Sequence, residues 1–280
     1  MHSTEFEYLQ TNHHSQILLA HYIPSQPIVT AKGGHGAVIL VPPFAEEMNR
    51  SRRMYVLCAR LLANNGIHAV IFDFSGTGDS SGEWGQFCYS DWMGDIKHVY
   101  THCSSFADNV SFIALRFGAL ILSDVVSQSD IDVDRCIFWD PIENGEILIR
   151  QLIRIKIAAA MADESKKLTT KEILDDIESM GYLESGGYKI SKSLIDDINS
   201  KRLSDLIESV LDNIELDWMQ LGKHSETKKQ WLPNSIFEKN LSQDQCNKIV
   251  MHPVNDVKFW MQQEVTIAPE LLRETQRVFT

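Results

Sequence analysis

The sequence has no uninterrupted apolar run approaching the ~20 residues of a membrane-spanning helix, so no transmembrane span is expected. It is short of positive charge. The 26 Lys and Arg stand against 38 Asp and Glu, a formal net charge of −12. Such a field repels phosphate backbones and anionic lipid, which excludes nucleic acid as an expected partner. Cysteine is sparse: Cys58, Cys88, Cys103, Cys136 and Cys246 are odd in number, and no two form a CxxC pair. That argues against a disulfide framework and against a cysteine-rich zinc site. The opening Met1-His2-Ser3-Thr4-Glu5-Phe6-Glu7 carries neither the basic nor the apolar region of a secretory leader, and the expectation is a reduced, cytoplasmic protein. Metal and nucleotide motifs are also missing, so no cofactor and no metal ligand are expected. Gly76-Thr77-Gly78 lacks the lysine of a P-loop and the surroundings of a dinucleotide fingerprint.

What remains is an ordinary globular balance, 44% hydrophobic and 23% charged. Glu5–Leu9 and Gln16–Tyr22 read as a hairpin across Thr11-Asn12-His13-His14-Ser15. Gly36–Val41, His68–Phe72, Asn109–Leu115 and Cys136–Trp139 are continuous apolar strands. Helical spacing over Ser51–Ala63, Asp91–Cys103 (opened by an Asp N-cap) and Phe117–Ser127 separates them. Strands without polar alternation, divided by helices, predict a mostly parallel sheet covered on both faces. Right-handed crossovers then gather the strand-to-helix loops along one edge, where such folds build their sites. After Asn144 the pattern changes to helices at Gly145–Ala162, Thr169–Met180 and Ile190–Ser200, with no strand before roughly Ile214–Met219. This predicts an all-helical cap at 144–204, inserted into a core of 1–143 and 205–280. Lys248–Met251 reads as a last strand and Pro269–Val278 as a closing helix.

The segment Val110-Ser111-Phe112-Ile113-Ala114-Leu115-Arg116-Phe117-Gly118 turns a strand into a helix, with small residues flanking a central position. That is the layout of the nucleophile elbow G-x-S-x-G, with Ala114 for the first glycine and Arg116 for the serine. Upstream, Pro42-Pro43-Phe44-Ala45-Glu46-Glu47 stands where an oxyanion-hole loop is expected. Phe72-Asp73-Phe74-Ser75-Gly76-Thr77-Gly78-Asp79-Ser80 resembles the D-x-x-G-x-G-x-S loop of many α/β-hydrolases. The order and spacing of these pieces predict an α/β-hydrolase fold.

The chain further resembles the exosortase A system-associated hydrolase 2 proteins over nearly its whole length. The resemblance is carried by Val41–Arg53, by Leu115-Arg116-Phe117-Gly118-Ala119-Leu120 and by Trp139-Asp140-Pro141-Ile142-Glu143-Asn144-Gly145. It continues through Gln151–Ala158, Gly186–Ser191 and Phe259-Trp260. It implies an α/β-hydrolase fold, an arginine at the elbow, and an association with exopolysaccharide and protein-sorting functions in Gram-negative bacteria.

Arginine offers no lone pair at physiological pH and cannot act as the nucleophile. Conventional Ser-His-Asp hydrolysis is therefore not expected. His252, in or beside the last strand, is the weak choice for a base and reads more simply as a structural or solvated histidine. Arg116 would open a helix whose free N–H groups favour an anion, and its guanidinium suits a carboxylate or phosphate. Burial of its charge calls for an acid, which Glu46, Glu47 or Asp140 can supply. Phe44, Phe117 and Trp139 are expected in the pocket wall. Asp73 belongs either to the site or, more simply, to the ordering of its own loop. Arg50, Arg52 and Arg53 read as structural or solvated, with phosphate binding the lesser reading.

Two readings of function stand together. One is an enzyme acting on an anionic acyl or glycosyl substrate at Arg116, Glu46, Glu47 and Asp140, with a carboxylate as base. The other is an inactive relative binding a small anionic molecule, an acyl or saccharide derivative, or an assembly partner. The sequence says nothing of oligomeric state.

Overall fold

Alternate residues of the central strands go to opposite faces, and on both faces they are apolar. A computed structural model describes residues 1–11, 15–30, 32–129, 131–161, 168–222 and 242–279. Its main sheet has eight strands in the order β1(His2–Gln10), β2(Gln16–Pro24), β4(His68–Phe72), β3(Gly36–Val41), β5(Asn109–Leu115), β6(Arg135–Trp139), β9(Glu215–Leu221) and β10(Ile249–Val254). β1 runs antiparallel to β2, and β2 antiparallel to β4. All other neighbours are parallel.

Ala37, Ile39, Val41, Phe112, Ala114, Cys136 and Phe138 pack into one core, beneath α2(Tyr89–Cys103), α3(Phe117–Gln128) and α7(Leu203–Asn213). Val38, Leu40, Ile113, Leu115, Ile137 and Trp139 pack into the other, beneath α1(Glu46–Asn64) and α9(Pro269–Val278). Each fully buried large side chain is worth roughly 1.5–3 kcal/mol, so a strand apolar on both faces is fixed in register from above and below.

Three expectations need correction. α1 begins at Glu46, a turn before the apolar spacing starts at Ser51. Its first turn holds Glu46 and Glu47, which the helix dipole favours but hydrophobic periodicity does not show. Asp91 is not the N-cap of α2: Cys88 takes that position, and the Asp91 carboxylate accepts from its N–H at 2.8 Å. The insertion is not all-helical either. Between α5(Thr170–Met180) and α6(Lys192–Asn199) lies a hairpin, β7(Tyr182–Ser185) and β8(Tyr188–Ser191). Its turn has positive φ at Gly186 and Gly187, as a two-residue turn between twisted strands demands.

The chain enters the insertion at Asn144 and returns at Arg202, and the two crossings are bonded to each other. Gly145 N–H donates to Lys201 O at 3.0 Å, and Leu203 N–H to Glu143 O at 2.8 Å. A Cβ on Gly145 would stand 1.7 Å from the Ile198 carbonyl, so only glycine lets α4(Gly145–Met161) start here. The return leads into α7, whose Leu203, Ile207, Val210 and Leu211 are buried in the α3-side core. The expected helix end at Ala162 and part of the turn after Thr11 lie outside the described residues. α8(Gln243–Asn247) precedes β10. No described helix is long and apolar enough to cross a membrane.

Candidate functional site

Among the described residues, three other than glycine have positive φ, and each follows a central strand: Ala45 after β3, Arg116 after β5 and Asp140 after β6. Arg116 (φ 55, ψ −115) and Ala45 (φ 52, ψ −128) share one conformation and each opens a helix. Such backbone costs a non-glycine residue on the order of 1–3 kcal/mol and persists only where its surroundings hold it. At Arg116 they do. Its N–H donates to Trp139 O at 3.1 Å, and its carbonyl accepts from Ala119 N–H at 3.1 Å. Gly118 brings α3 so close to the end of β3 that a Cβ would meet Val41 O at 2.7 Å and Pro42 O at 2.8 Å. The corner is a strained strand-to-helix elbow with arginine at its apex.

The Arg116 side chain is 9% exposed and touches four elements. Nε donates to Glu47 Oε1 in α1 at 3.4 Å, and Nη2 donates to Gln151 Oε1 in α4 at 3.0 Å. Nη1 lies 3.8 Å from Asp140 Oδ2. The guanidinium carbon sits 5.5 Å from the ring centre of Trp260, in the 3-10 turn Phe259–Met261. Asp140 is itself buried and also accepts from Lys258 Nζ at 2.9 Å, Leu221 N–H at 3.2 Å and the Gln220 amide. Two cations therefore face two acids. A cation at a helix N-terminus works against the dipole, so these acids and not α3 hold Arg116 in place. Burial pushes the Glu47 carboxyl above its ordinary range; Arg116 pulls it back and the Asp140 charge pushes it up again. Its Oε2 is buried without a hydrogen-bond partner among the described residues.

Beside the elbow, but not including Arg116 or Glu47, is a cleft of about 120 Å³ between the loops after β3 and β4 and the hairpin β7–β8. Phe44, Trp84, Trp92, Phe117 and Tyr188 wall it, with Asn49 and Arg52 among its lining residues. Phe44 packs edge-on to Trp84, Trp92 and Phe117 at 5.2–5.8 Å. In an elbow fold the oxyanion donors are the N–H after the nucleophile and one from the first strand-to-helix loop. Here those positions are Phe117 and the Phe44–Ala45 stretch, and all three residues line the cleft.

The remaining residues singled out in the sequence go elsewhere. Glu46 faces Asn49 Nδ2 at 2.9 Å and Arg50 Nε at 3.4 Å on its own helix and makes no described contact with Arg116. Arg50 also donates to Gln262 O at 2.8 Å. Asp73 orders its loop, accepting from Arg52 at 2.8 Å and from Asp79 N–H at 3.1 Å. Trp139 does not wall the pocket: it is fully buried on the α1 side, edge-on to Tyr55, with its indole N–H donating to Thr275 Oγ1 at 3.0 Å. His252 pairs with Asp217 at 2.7 Å, beside Arg135, two strands from the elbow strand β5's neighbour β6.

Gln151, Lys258 and Trp260 join the Arg116 cluster without any spacing in the sequence that links them to it. The sequence signals were slight: a glutamine beside the apolar stripe of α4, and a lysine in the loop after the last strand.

No family model matches the sequence, and no curated protein matches it. Solved structures do. Proline iminopeptidase from Mycobacterium smegmatis superposes with a TM-score of 0.63 at 10% identity, covering 98% of this chain and 97% of that one. Est1E from Butyrivibrio proteoclasticus, solved with ferulic acid bound, gives 0.61 at 12% identity, with 98% of each chain covered. Mouse alpha/beta hydrolase domain-containing protein 10 gives 0.60 at 12% identity, again over 98% of each. At such identities the likeness establishes architecture alone, and that architecture is the α/β-hydrolase fold.

Proposed function

We propose that this chain is a non-catalytic binding protein on an α/β-hydrolase frame. It takes a small acyl or saccharide derivative with a carbonyl or anionic head, and Arg116 replaces the serine of a degenerate triad. On the resemblance carried by Arg116-Phe117-Gly118 and Trp139-Asp140-Pro141, it is a cytoplasmic member of the exosortase A system-associated hydrolase 2 family serving exopolysaccharide assembly.

One observation carries the reading: the elbow side chain is consumed by internal partners, while the cleft beside it keeps both oxyanion-donor positions and an aromatic wall. The guanidinium donors of Arg116 are directed at Glu47, Gln151 and Asp140, which leaves the group little to offer a substrate. The cleft's volume, that of roughly four waters, suits a short acyl group or one edge of a sugar ring. Phe117, Phe44 and Ala45 supply N–H donors for its oxygen, and Arg52, bonded to Asp73 through one nitrogen but 39% exposed, stands among the lining residues for an anionic end. The enzyme reading has one observation of its own, the buried Glu47, whose carboxyl burial pushes above its ordinary range, as suits a general base. Glu47 does not line the cleft, which places it second.

A fluorophosphonate probe should leave the wild type unlabelled; labelling would overturn the reading. In a thermal-shift series of short acyl phosphates and uronic acids, bound compounds should raise the melting temperature of the wild type and not of Trp84→Ala. A shift that persists in that variant would move the ligand away from the cleft.

A further inference from the structure

On the far side of the molecule, four ionisable side chains from four elements converge: Glu7 of β1, His21 of β2, His68 at the start of β4 and His102 in the last turn of α2. Glu7 Oε1 lies 3.1 Å from His21 Nε2 and 2.6 Å from His102 Nε2, and these three atoms fall within 4.8 Å of one another. The other nitrogen of His21, Nδ1, stands 3.1 Å from His68 Nε2. Phe106 stacks on His68 at 4.6 Å and meets His102 edge-on at 5.6 Å, closing one side. None of these residues belongs to the elbow or the cleft.

We infer that Glu7, His21 and His102 form a binding site for a divalent metal ion of zinc's class, with His68 as the outer partner that orients His21.

Two imidazoles and one carboxylate are a known zinc donor set that leaves a fourth position for water. Donors around a tetrahedral zinc stand about 3.3 Å apart, given metal–nitrogen bonds near 2.0 Å. The separations here need only small side-chain movements to reach that. Without metal, His21 and His102 can each donate from Nε2 to Glu7. With metal, both Nε2 lone pairs must be free. The His21–His68 contact allows this, because His21 can donate from Nδ1 to His68 Nε2 and keep its lone pair for the ion. His102 ends α2, where the helix dipole favours a cation. A bound ion would tie the edge strand β1 to α2, which the sheet hydrogen bonds alone do not do.

The test uses the full chain without an affinity tag, stripped with a chelator and titrated with Zn²⁺ by calorimetry. Co²⁺ serves as the spectroscopic probe. We expect one ion per chain, tetrahedral Co²⁺ absorption, and a rise in melting temperature of about 5 °C at saturating Zn²⁺. His68→Ala should weaken binding by about 10–100-fold, the usual cost of losing an outer partner. Glu7→Gln and His102→Ala, both partly exposed, should weaken it further while melting like the wild type in chelator. Absence of saturable binding in the wild type, or wild-type affinity in either ligand variant, would overturn the assignment.

Discussion

The Arg116 cluster and the histidine cluster both gather ionisable groups, the first buried and the second half-open to solvent at Glu7 and His102, and their polar partners differ. Around Arg116, two cations meet two acids, and Gln151 and the Leu221 N–H fill most of the remaining bonding positions. Around Glu7, two imidazoles share one carboxylate, and the third, His68, reaches it only through His21. The first set keeps its charges within the chain and links the inserted α4 to the strained elbow, with Glu47 Oε2 left unpartnered among the described residues. The second can be satisfied by protons alone, yet the same donor atoms, brought together at a half-open surface, are the set on which the inferred ion rests. A charged residue at an expected catalytic position is thus no sign of chemistry by itself; what matters is whether its neighbours leave it anything to do.

The largest effect should come from Asp140→Asn. Asparagine tolerates the positive φ at this position, so the change isolates the charge. It leaves Arg116 and Lys258 with one raised-pKa acid between them, and breaking a buried pair in this way costs about 3–5 kcal/mol. Chemical denaturation would measure it. A loss below about 1 kcal/mol would mean that Glu47 alone balances Arg116, and the contrast with the histidines would weaken.

Arg116→Ala comes next. Ala45 already holds the same backbone conformation, so strain is unchanged and the loss reports the side chain. Leaving Glu47 and Asp140 short of a donor should cost about 2–3 kcal/mol. Protease cutting within α4 should also quicken, because the Gln151 link goes with it. Arg116→Ser should lose similar stability and gain no fluorophosphonate labelling, since no described contact brings a histidine to the elbow. By contrast, His102→Ala in chelator should change stability by less than about 1 kcal/mol, because its bond to Glu7 is partly exposed.

The two clusters were not equally legible in the sequence. The elbow was legible because its parts are local: the β5 strand, Arg116 and Gly118 lie within ten residues, and sheet topology forces the loops after β3 and β6 beside them. Glu47 and Asp140 could be named for that reason. Lys258 and Gln151 reach Arg116 from the last loop and the insertion, and no spacing rule connects them. Trp139 was misplaced because adjacency to Asp140 suggested a shared direction, whereas alternation along β6 turns it with Ile137 into the α1-side core. The hairpin β7–β8 escaped because strands of four residues carry too little pattern beside long amphipathic helices. The histidines were invisible as a group. Glu7, His21, His68 and His102 become neighbours only through β-strand pairing and the packing of α2, and their spacing in the chain matches no metal motif.

The smallest and most discriminating effect is the pH dependence of Glu47→Gln. Burial raises the Glu47 carboxyl above its ordinary value of 4.5, so the folded chain holds this proton more tightly than the unfolded chain. The group's contribution to stability is then full below the unfolded value and is lost as pH rises through the folded one. Glutamine does not titrate. The stability of the wild type relative to Glu47→Gln should therefore fall as pH is raised from about 4 towards neutrality, when the wild type must ionise a buried acid. Paired denaturation curves across that window would show the trend. The opposite slope would mean that Arg116 outweighs burial and that Glu47 stays ionised in the folded chain. The elbow would then be a full ion-pair lock, with no proton held for chemistry.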